Sequence, residues 1–257
     1  MKSNNSSTDA GTLIFETLKN ELLELRIKPG QEISESELCG RFAVTRPPVR
    51  AALRRLSDIG LVEIRPYYGT YATLLDMDKI YQIIHMRILV ETKVIQDYIA
   101  SNPDDFELEE LEHNIRLQTI LLEQPQVDYT KFYTLDNSLH STWFCKAHCS
   151  DIWDIIQSQK IEYTRFRMLD FVVTMKFQEM MDDHAKIVSA IKEKNSAIIP
   201  SLVGIHLNNG LKRMGKKIFT DYKQYIIPPK DTEYWTEYNS KYYKSITPPQ
   251  AAGYIVL

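Results

Sequence analysis

The sequence predicts a mainly α-helical protein in two parts: an N-terminal winged helix-turn-helix and a C-terminal all-α antiparallel bundle. Two observations carry this expectation. Between Ser34 and Leu75 a capped helix, a tight turn, an arginine-bearing helix and two short β patterns follow one another. Beyond Leu75 apolar residues recur at three- and four-residue spacing in long segments with almost no strand signal. The chain has 257 residues, 44% hydrophobic and 25% charged, an ordinary globular composition with room for two domains.

Residues 1–11, MKSNNSSTDAG, are rich in serine and asparagine and lack the apolar centre of a signal peptide, so a disordered tail is expected there. From Thr12 to Arg26, Leu13, Ile14, Leu18, Leu22 and Leu25 form a helical stripe that Pro29-Gly30 ends. Ser34, with Glu37 three residues later, makes a capping box for ESELCGRF, and Ala43-Val44 turns the chain into TRPPVRAALRRLSDIG. There Thr45 suits the cap, Pro47 and Pro48 are tolerated in the first turn, and Gly60 suits a left-handed stop. Val49, Leu53, Leu56 and Ile59 form its core stripe. LVEIRP and TYATLL then read as two strands joined at Tyr67-Tyr68-Gly69, a wing whose turn needs the positive backbone angle that glycine takes easily.

Arg46, Arg50 and Arg54 are four apart, so they share a helix face away from that stripe. A cationic outward face calls for an anionic partner. In such a module the second helix enters the major groove, where arginines bond guanine edges or phosphates. The net charge of −3 conceals an asymmetry: from Arg41 to Arg65 there are six arginines against Asp58 and Glu63. Only this region invites DNA.

The run IKPGQEISESELCGRFAVTRPPVRAALRRLSDIGLVEIRPYYGTYA resembles the winged helix-turn-helix of the GntR transcriptional regulators. The resemblance implies that Thr45, Arg46, Arg50 and Gly69 contact operator DNA, with Pro47 and Pro48 at the entry to the recognition helix and Arg54 on the same basic face. Two departures bear on operator sequence: Ala51 replaces a common glutamate, and Ser36 stands where some members carry another arginine.

Residues 12–75 are therefore expected to form the DNA-binding domain, with Asp76-Met77-Asp78 as hinge, 76–222 a helical effector and dimerisation domain, and 223–257 an extension. Six bundle helices are expected, at 78–100, 105–123, 128–148, 151–170, 175–194 and 196–219. No glycine-rich phosphate loop, GxSxG elbow or membrane-length apolar run is present. Cys39, Cys145 and Cys149 are too few for a disulfide framework, which suits a cytoplasmic protein; Cys145, His148 and Cys149 lack a fourth metal-ligand partner at suitable spacing.

Asp136 and His140 project from one helix face, and His184 and His206 lie on the last two helices among core-type residues. Three imidazoles and a carboxylate suit a divalent metal such as zinc, nickel, cobalt or manganese and can leave coordination positions open. Arg87, Arg165 and Arg167 are candidates for pairing with an effector carboxylate; Arg165 and Arg167, two apart, cannot share a face.

LDNSLHSTW, MMDDHAKIVSAIKEKNSA and LVGIHLNNGL resemble the metal-bearing helices of the FCD domain of the FadR subfamily, and MRILVE, with Arg87 and Glu91, resembles its first helix. The resemblance spans about Asp78 to Tyr222 and implies that Asp136, His140, His184 and His206 are metal ligands. It also implies that the metal helps bind a small organic acid. The six-helix layout is similar to the VanR branch. Leu139 stands where many members have phenylalanine.

After Tyr222, Pro228-Pro229, Pro248-Pro249, Tyr234, Trp235, Tyr238, Tyr242, Tyr243 and Tyr254 argue against a fully solvated tail. This extension is expected to dock, either on its own bundle or around a partner subunit. Taken together, these features predict a one-component repressor: a homodimer on a palindromic operator, responsive to a small carboxylate, and not an enzyme. Two rival functions are a metal-dependent hydrolase or lyase, with Asp182 or Asp183 as base, and a metal sensor without organic effector. The hydrolase reading leaves residues 12–75 unexplained.

Overall fold

The structure is a computed structural model that describes residues 4–159 and 161–244, with side chains described from Ala10 to Tyr238. The chain forms two compact units, one comprising the chain up to Met77 together with Phe219–Ile227, the other Asp78–Ile218 together with the chain from Pro228.

In the first unit, α1 (Asn4–Leu23) packs on α3 (Arg46–Asp58), with α2 (Glu35–Phe42) beside α3. Ile14, Leu18 and Leu22 of α1 and Val49, Ala52, Leu53 and Leu56 of α3 are buried, as the helical spacing dictates. Two of the arginines serve this packing: Arg41 makes a two-pronged bond to Glu21 at 2.8 and 2.5 Å, and Arg55 lies 3.8 Å over the Phe15 ring. Ser34 accepts from the Glu37 amide at 3.3 Å, and Gly60, at φ +78°, follows the end of α3. Strands β1 (Val62–Arg65) and β2 (Gly69–Ala72) pair antiparallel with Val62 opposite Ala72 and Arg65 opposite Gly69. Gly30 and Ile33 donate their amides to Ala72 and Thr70, which lays the chain before α2 along β2.

Several local expectations are corrected. Helix α1 begins at Asn4, inside the expected tail, and ends at Leu23; Leu13 is exposed and Leu25 stands beyond the helix at φ +58°. Ile59 is exposed because it has become the residue after α3. Thr45 occupies the cap position without a side-chain bond. The two units divide between Met77 and Asp78, at the expected hinge, where β3 (Leu75–Asp76) pairs in parallel with β4 (Ile226–Ile227) and the buried Met77 starts α4 directly. Nothing in the local sequence announces a two-residue strand whose partner lies about 150 positions away; the pairing is decided by tertiary contact.

The second unit contains α4 (Met77–Ala100), α5 (Asp105–Leu122), α6 (Tyr129–Lys146), α7 (Ser150–Gln159), α8 (Ile161–Thr174), α9 (Phe177–Lys192) and α10 (Ile199–Met214). Asp104 and Glu107 form a reciprocal capping box on α5, and Asp128 caps α6 by accepting from the Lys131 amide at 2.9 Å. The segment expected as one helix over 151–170 is helical on both sides of Lys160, as α7 and α8. Every side chain of α8 from Glu162 to Phe171 is buried, whereas α7 buries only Trp153 and Ile156. The two helices meet different surroundings. Among the described residues no helix is long and apolar enough to cross a membrane.

After the short α11 (Lys217–Thr220) and β4, α12 (Thr232–Lys244) packs against α10, with the buried Trp235 stacked on Tyr81 at 5.1 Å and Tyr238 edge-on to His85 at 4.8 Å. Residues 226–227 of the extension therefore pair with β3, and α12 packs on its own bundle; Pro248, Pro249 and Tyr254, like the side chains of Tyr242 and Tyr243, lie outside the described residues.

Leu18 is fully buried between α1 and α3. Leu18→Ala is expected to destabilise the protein by about 2–5 kcal/mol through lost transfer energy and the residual cavity. Denaturant unfolding followed by circular dichroism measures this.

Candidate metal centre and nucleic-acid interface

Arg46, Arg50 and Arg54 are exposed on α3, on the face opposite Val49, Leu53 and Leu56. Arg50 Nε is paired with Glu35 at 2.9 and 3.1 Å, while Arg46 and Arg54 carry no ion pair among the described residues. An exposed guanidinium held by one carboxylate keeps its other donors available. Thr45 and Pro47 are exposed beside them; Pro48 is buried against the unit's interior, which removes it from the expected DNA-contacting set. Gly69 stands at φ +127° at the start of β2, and the wing tip exposes Tyr67 and Tyr68 almost completely.

In the bundle, α6 supplies Asp136 and His140, α9 supplies His184 and α10 supplies His206, all buried, with one ligand atom from each within 4.8 Å of the others. His140 Nε2 and His206 Nε2 are 3.1 Å apart, and His184 Nε2 is 3.3 Å from Asp136 Oδ1. Donor atoms about 2.0–2.1 Å from one ion, at tetrahedral or octahedral angles, stand roughly 2.9–3.4 Å apart. The donor set thus fits a divalent metal.

The far side of two of the imidazoles supports the same reading. His140 Nδ1 lies 2.5 Å from Glu91 Oε2 and His184 Nδ1 3.2 Å from Gln118 Oε1, whereas His206 Nδ1 has Asp183 Oδ2 only at 4.0 Å, beyond hydrogen-bond reach. An oxygen behind Nδ1 favours the proton there and turns Nε2 toward the cluster, as metal-binding histidines require. Burial holds His140 and His206 below the ordinary histidine range; for His206 the neighbouring His184 and His140 push further in the same direction. Burial alone would raise the Asp136 pKa, but His184 and Arg167 outweigh it and hold it well below the usual carboxylate range. Neutral His140 and His206 beside an ionised Asp136 is the protonation state that binds metal.

Three arginines border this region. Arg87 donates to Glu91 Oε1 at 2.6 Å and sits 3.1 Å from His140 Nδ1, under the Tyr163 ring at 4.9 Å. Arg167 lies 3.7 Å from Asp136 Oδ1 and also bonds Asp170 at 3.3 Å. Arg165 lies 3.8 Å from Glu162. Of the two α8 arginines, Arg167 is the one that addresses the site. Glu91, Gln118 and Asp183 were absent from the expected ligand and effector residues. For Gln118 a signal existed: the buried side of α5 is Leu111, Asn114, Gln118 and Leu121, a core stripe with two amides in its middle.

The profile of bacterial regulatory proteins of the gntR family matches residues 12–72, and that of the FCD domain matches residues 82–209. The chain belongs to the GntR family. The HTH-type transcriptional repressor RspR of Escherichia coli is 29% identical over 194 residues, covering 76% of this chain and 84% of RspR. The gluconate operon transcriptional repressor of Bacillus subtilis is 24% identical over 208 residues, covering 79% and 83%. Escherichia coli McbR/YncC has the same fold, with a TM-score of 0.62 at 14% identity, covering 83% of this chain and 98% of McbR. This GntR regulator with an FCD domain is thus a DNA-binding transcriptional regulator, and its relatives are regulators rather than enzymes.

The buried histidines set a pH dependence for the metal-stripped protein. In the unfolded chain they take up protons near pH 6.5, about the free value; in the folded chain His140 and His206 do so only at lower pH. Below about pH 6.5 the unfolded state binds more protons, so the stability present above that pH is lost as pH falls. The melting temperature of metal-stripped protein is expected to drop between pH 7.5 and 5.5, and His206→Gln to flatten the drop. Melts in a pH series, at fixed ionic strength, measure both.

Proposed function

We propose that this regulator is a cytoplasmic repressor acting as a homodimer on a roughly palindromic operator, and that a small carboxylate bound beside a metal in the FCD domain controls its operator affinity. The observation that carries the sensor half is the buried convergence of Asp136, His140, His184 and His206, with Arg167 beside Asp136. A four-donor site of neutral nitrogen and anionic oxygen has no use in packing, because burying polar atoms without partners is costly. The donor chemistry suits zinc, nickel, cobalt or manganese.

When bound, a divalent ion there supplies open coordination positions for a ligand oxygen. The chain's own residues do the rest. Arg167 offers a guanidinium on the Asp136 side, and Arg87, held by Glu91, offers a second near His140. A planar fork of donors matches a carboxylate in both distance and direction. Burial excludes water and strengthens each of these contacts. The gluconate operon repressor among the relatives makes sugar acids a sensible first panel.

On the DNA side, Arg46, Arg50 and Arg54 present their guanidinium groups to base edges and phosphates while the wing lies against the backbone or minor groove. One head offers few specific contacts, so two heads on paired half-sites supply the discrimination a genome demands.

Arg50→Ala is expected to leave the fold intact and weaken specific operator binding by about 1–3 kcal/mol, the range for losing one bidentate base contact. Fluorescence anisotropy at one fixed salt concentration tests it; unchanged affinity would remove Arg50 from the groove. Arg55→Ala should instead lower stability, since Arg55 packs on Phe15.

The purified protein is expected to carry about one divalent metal per subunit, lost in the His184→Ala/His206→Ala double variant, as elemental analysis would show. A titration of operator binding with mono- and dicarboxylates tests the control. His140→Ala should keep operator affinity and lose the acid response, and a tenfold response corresponds to about 1.4 kcal/mol of reciprocal coupling. Operator binding that follows metal alone, with every acid silent, would establish a metal sensor instead.

A further inference from the structure

Two amides sit in the core stripe of α5, where apolar residues would pack without any hydrogen-bond requirement: Asn114 is 7% exposed and Gln118 is fully buried. They lie four apart, on the side of α5 that packs against both α6 and α9. Asn114 Nδ2 donates to the Leu135 carbonyl at 3.2 Å, Gln118 Nε2 donates to Asn114 Oδ1 at 2.6 Å, and Gln118 Oε1 faces His184 Nδ1 at 3.2 Å.

The direction of this chain is forced from one end. A backbone carbonyl can only accept, so Asn114 must turn its amino group to Leu135, and its oxygen is left for Gln118. Gln118 must then turn its own amino group to Asn114, and its oxygen is left for His184. An oxygen accepts, so Gln118 favours a proton on His184 Nδ1, while Nε2, on the cluster side of the ring, lies 3.3 Å from Asp136 Oδ1. Leu135 directly precedes Asp136. The relay therefore starts at the backbone beside one cluster residue on α6, crosses α5 and ends on a second on α9.

We infer that Asn114 and Gln118 are positioning residues that set the tautomer and ring orientation of His184 and thereby the metal affinity of the FCD domain. This rests on the metal reading of the cluster. The amides contact no metal themselves; they act through His184. Partners behind a metal-binding histidine commonly account for 10–100-fold in affinity. Gln118 differs from Glu91 in being neutral, so it selects the tautomer without adding a charge behind the ring.

The test uses the full-length chain and two readouts. In metal-free protein, ¹⁵N chemical shifts of the histidine rings report which nitrogens carry protons: wild type should show a proton on His184 Nδ1, and Gln118→Leu should lose it, leaving the proton on Nε2 beside Asp136. In the second readout, cobalt(II) is titrated against a competing chelator and its visible absorption recorded. Gln118→Leu is expected to weaken cobalt binding by about 10–100-fold, with a changed absorption band, and Asn114→Ala to weaken it less. Gln118→Glu, which keeps an acceptor behind His184, should restore most of the affinity even if its melting temperature is lower. That restoration separates positioning from a merely structural role. Gln118→Glu and Asn114→Ala also keep the test decisive if Gln118→Leu fails to fold.

An unprotonated His184 Nδ1 in the wild type overturns the relay, as does a Gln118→Leu affinity within twofold of wild type. Wild-type protein that binds no cobalt overturns the metal reading, while the ring shifts still decide the tautomer separately.

Discussion

The FCD domain is arranged around the cost of taking charge out of water. Asp136, three imidazoles, Glu91, Arg87, Arg165, Arg167 and Asp170 are all buried in one bundle, and an isolated charge in such surroundings would shift its pKa and neutralise. Pairing is what allows them to stay charged: Arg87 with Glu91, and Arg213 with Asp170 at 2.6 and 3.1 Å. Removing one partner of such a pair costs far more than the pair contributes, because the other is left stranded. This explains why α8 has no solvent side over most of its length; it is a polar girder inside the bundle, with Phe166, Phe171 and Leu169 filling the spaces between its charges.

The imidazoles face a different constraint. Three rings converge on one point, and His140 and His184 are held there from behind by Glu91 and Gln118. His140 is gripped additionally by aromatic packing, edge-on to Trp143 at 4.7 Å and parallel to Trp153 at 6.3 Å. Trp153 belongs to α7, which supplies a flat wall against His140 while α8 brings Arg167 toward Asp136.

What could be read from the sequence follows from how local each signal is. The recognition helix was legible because its arginines, cap position and stop lie within sixteen residues and obey one period. Asp136 and His140 were legible as a pair for the same reason, while their convergence with His184 and His206 came from the FCD resemblance rather than from spacing. Gln118 was not singled out, since a polar residue in a core stripe acquires its meaning only from what stands opposite. The burial of Pro48 and the exposure of Ile59 were each missed at a helix end, where one residue's shift turns a side chain to another face. The strand pair β3–β4 left no local trace at all.

That strand pair has a consequence for how the protein is made. The unit carrying the recognition helix is completed by Phe219–Ile227, with Leu75 set opposite Ile226. At a synthesis rate of about 5–20 residues per second, roughly 8–30 s separate the two strands' emergence, so the nascent head spends that interval with the edge of β3 unpaired. The head is thus finished only after the helices of the bundle from α4 to α10 have been made. For the same reason, grafting this head onto another sensor at residue 76 would leave one of its strands behind; a working chimera has to carry the segment around 219–227 as well.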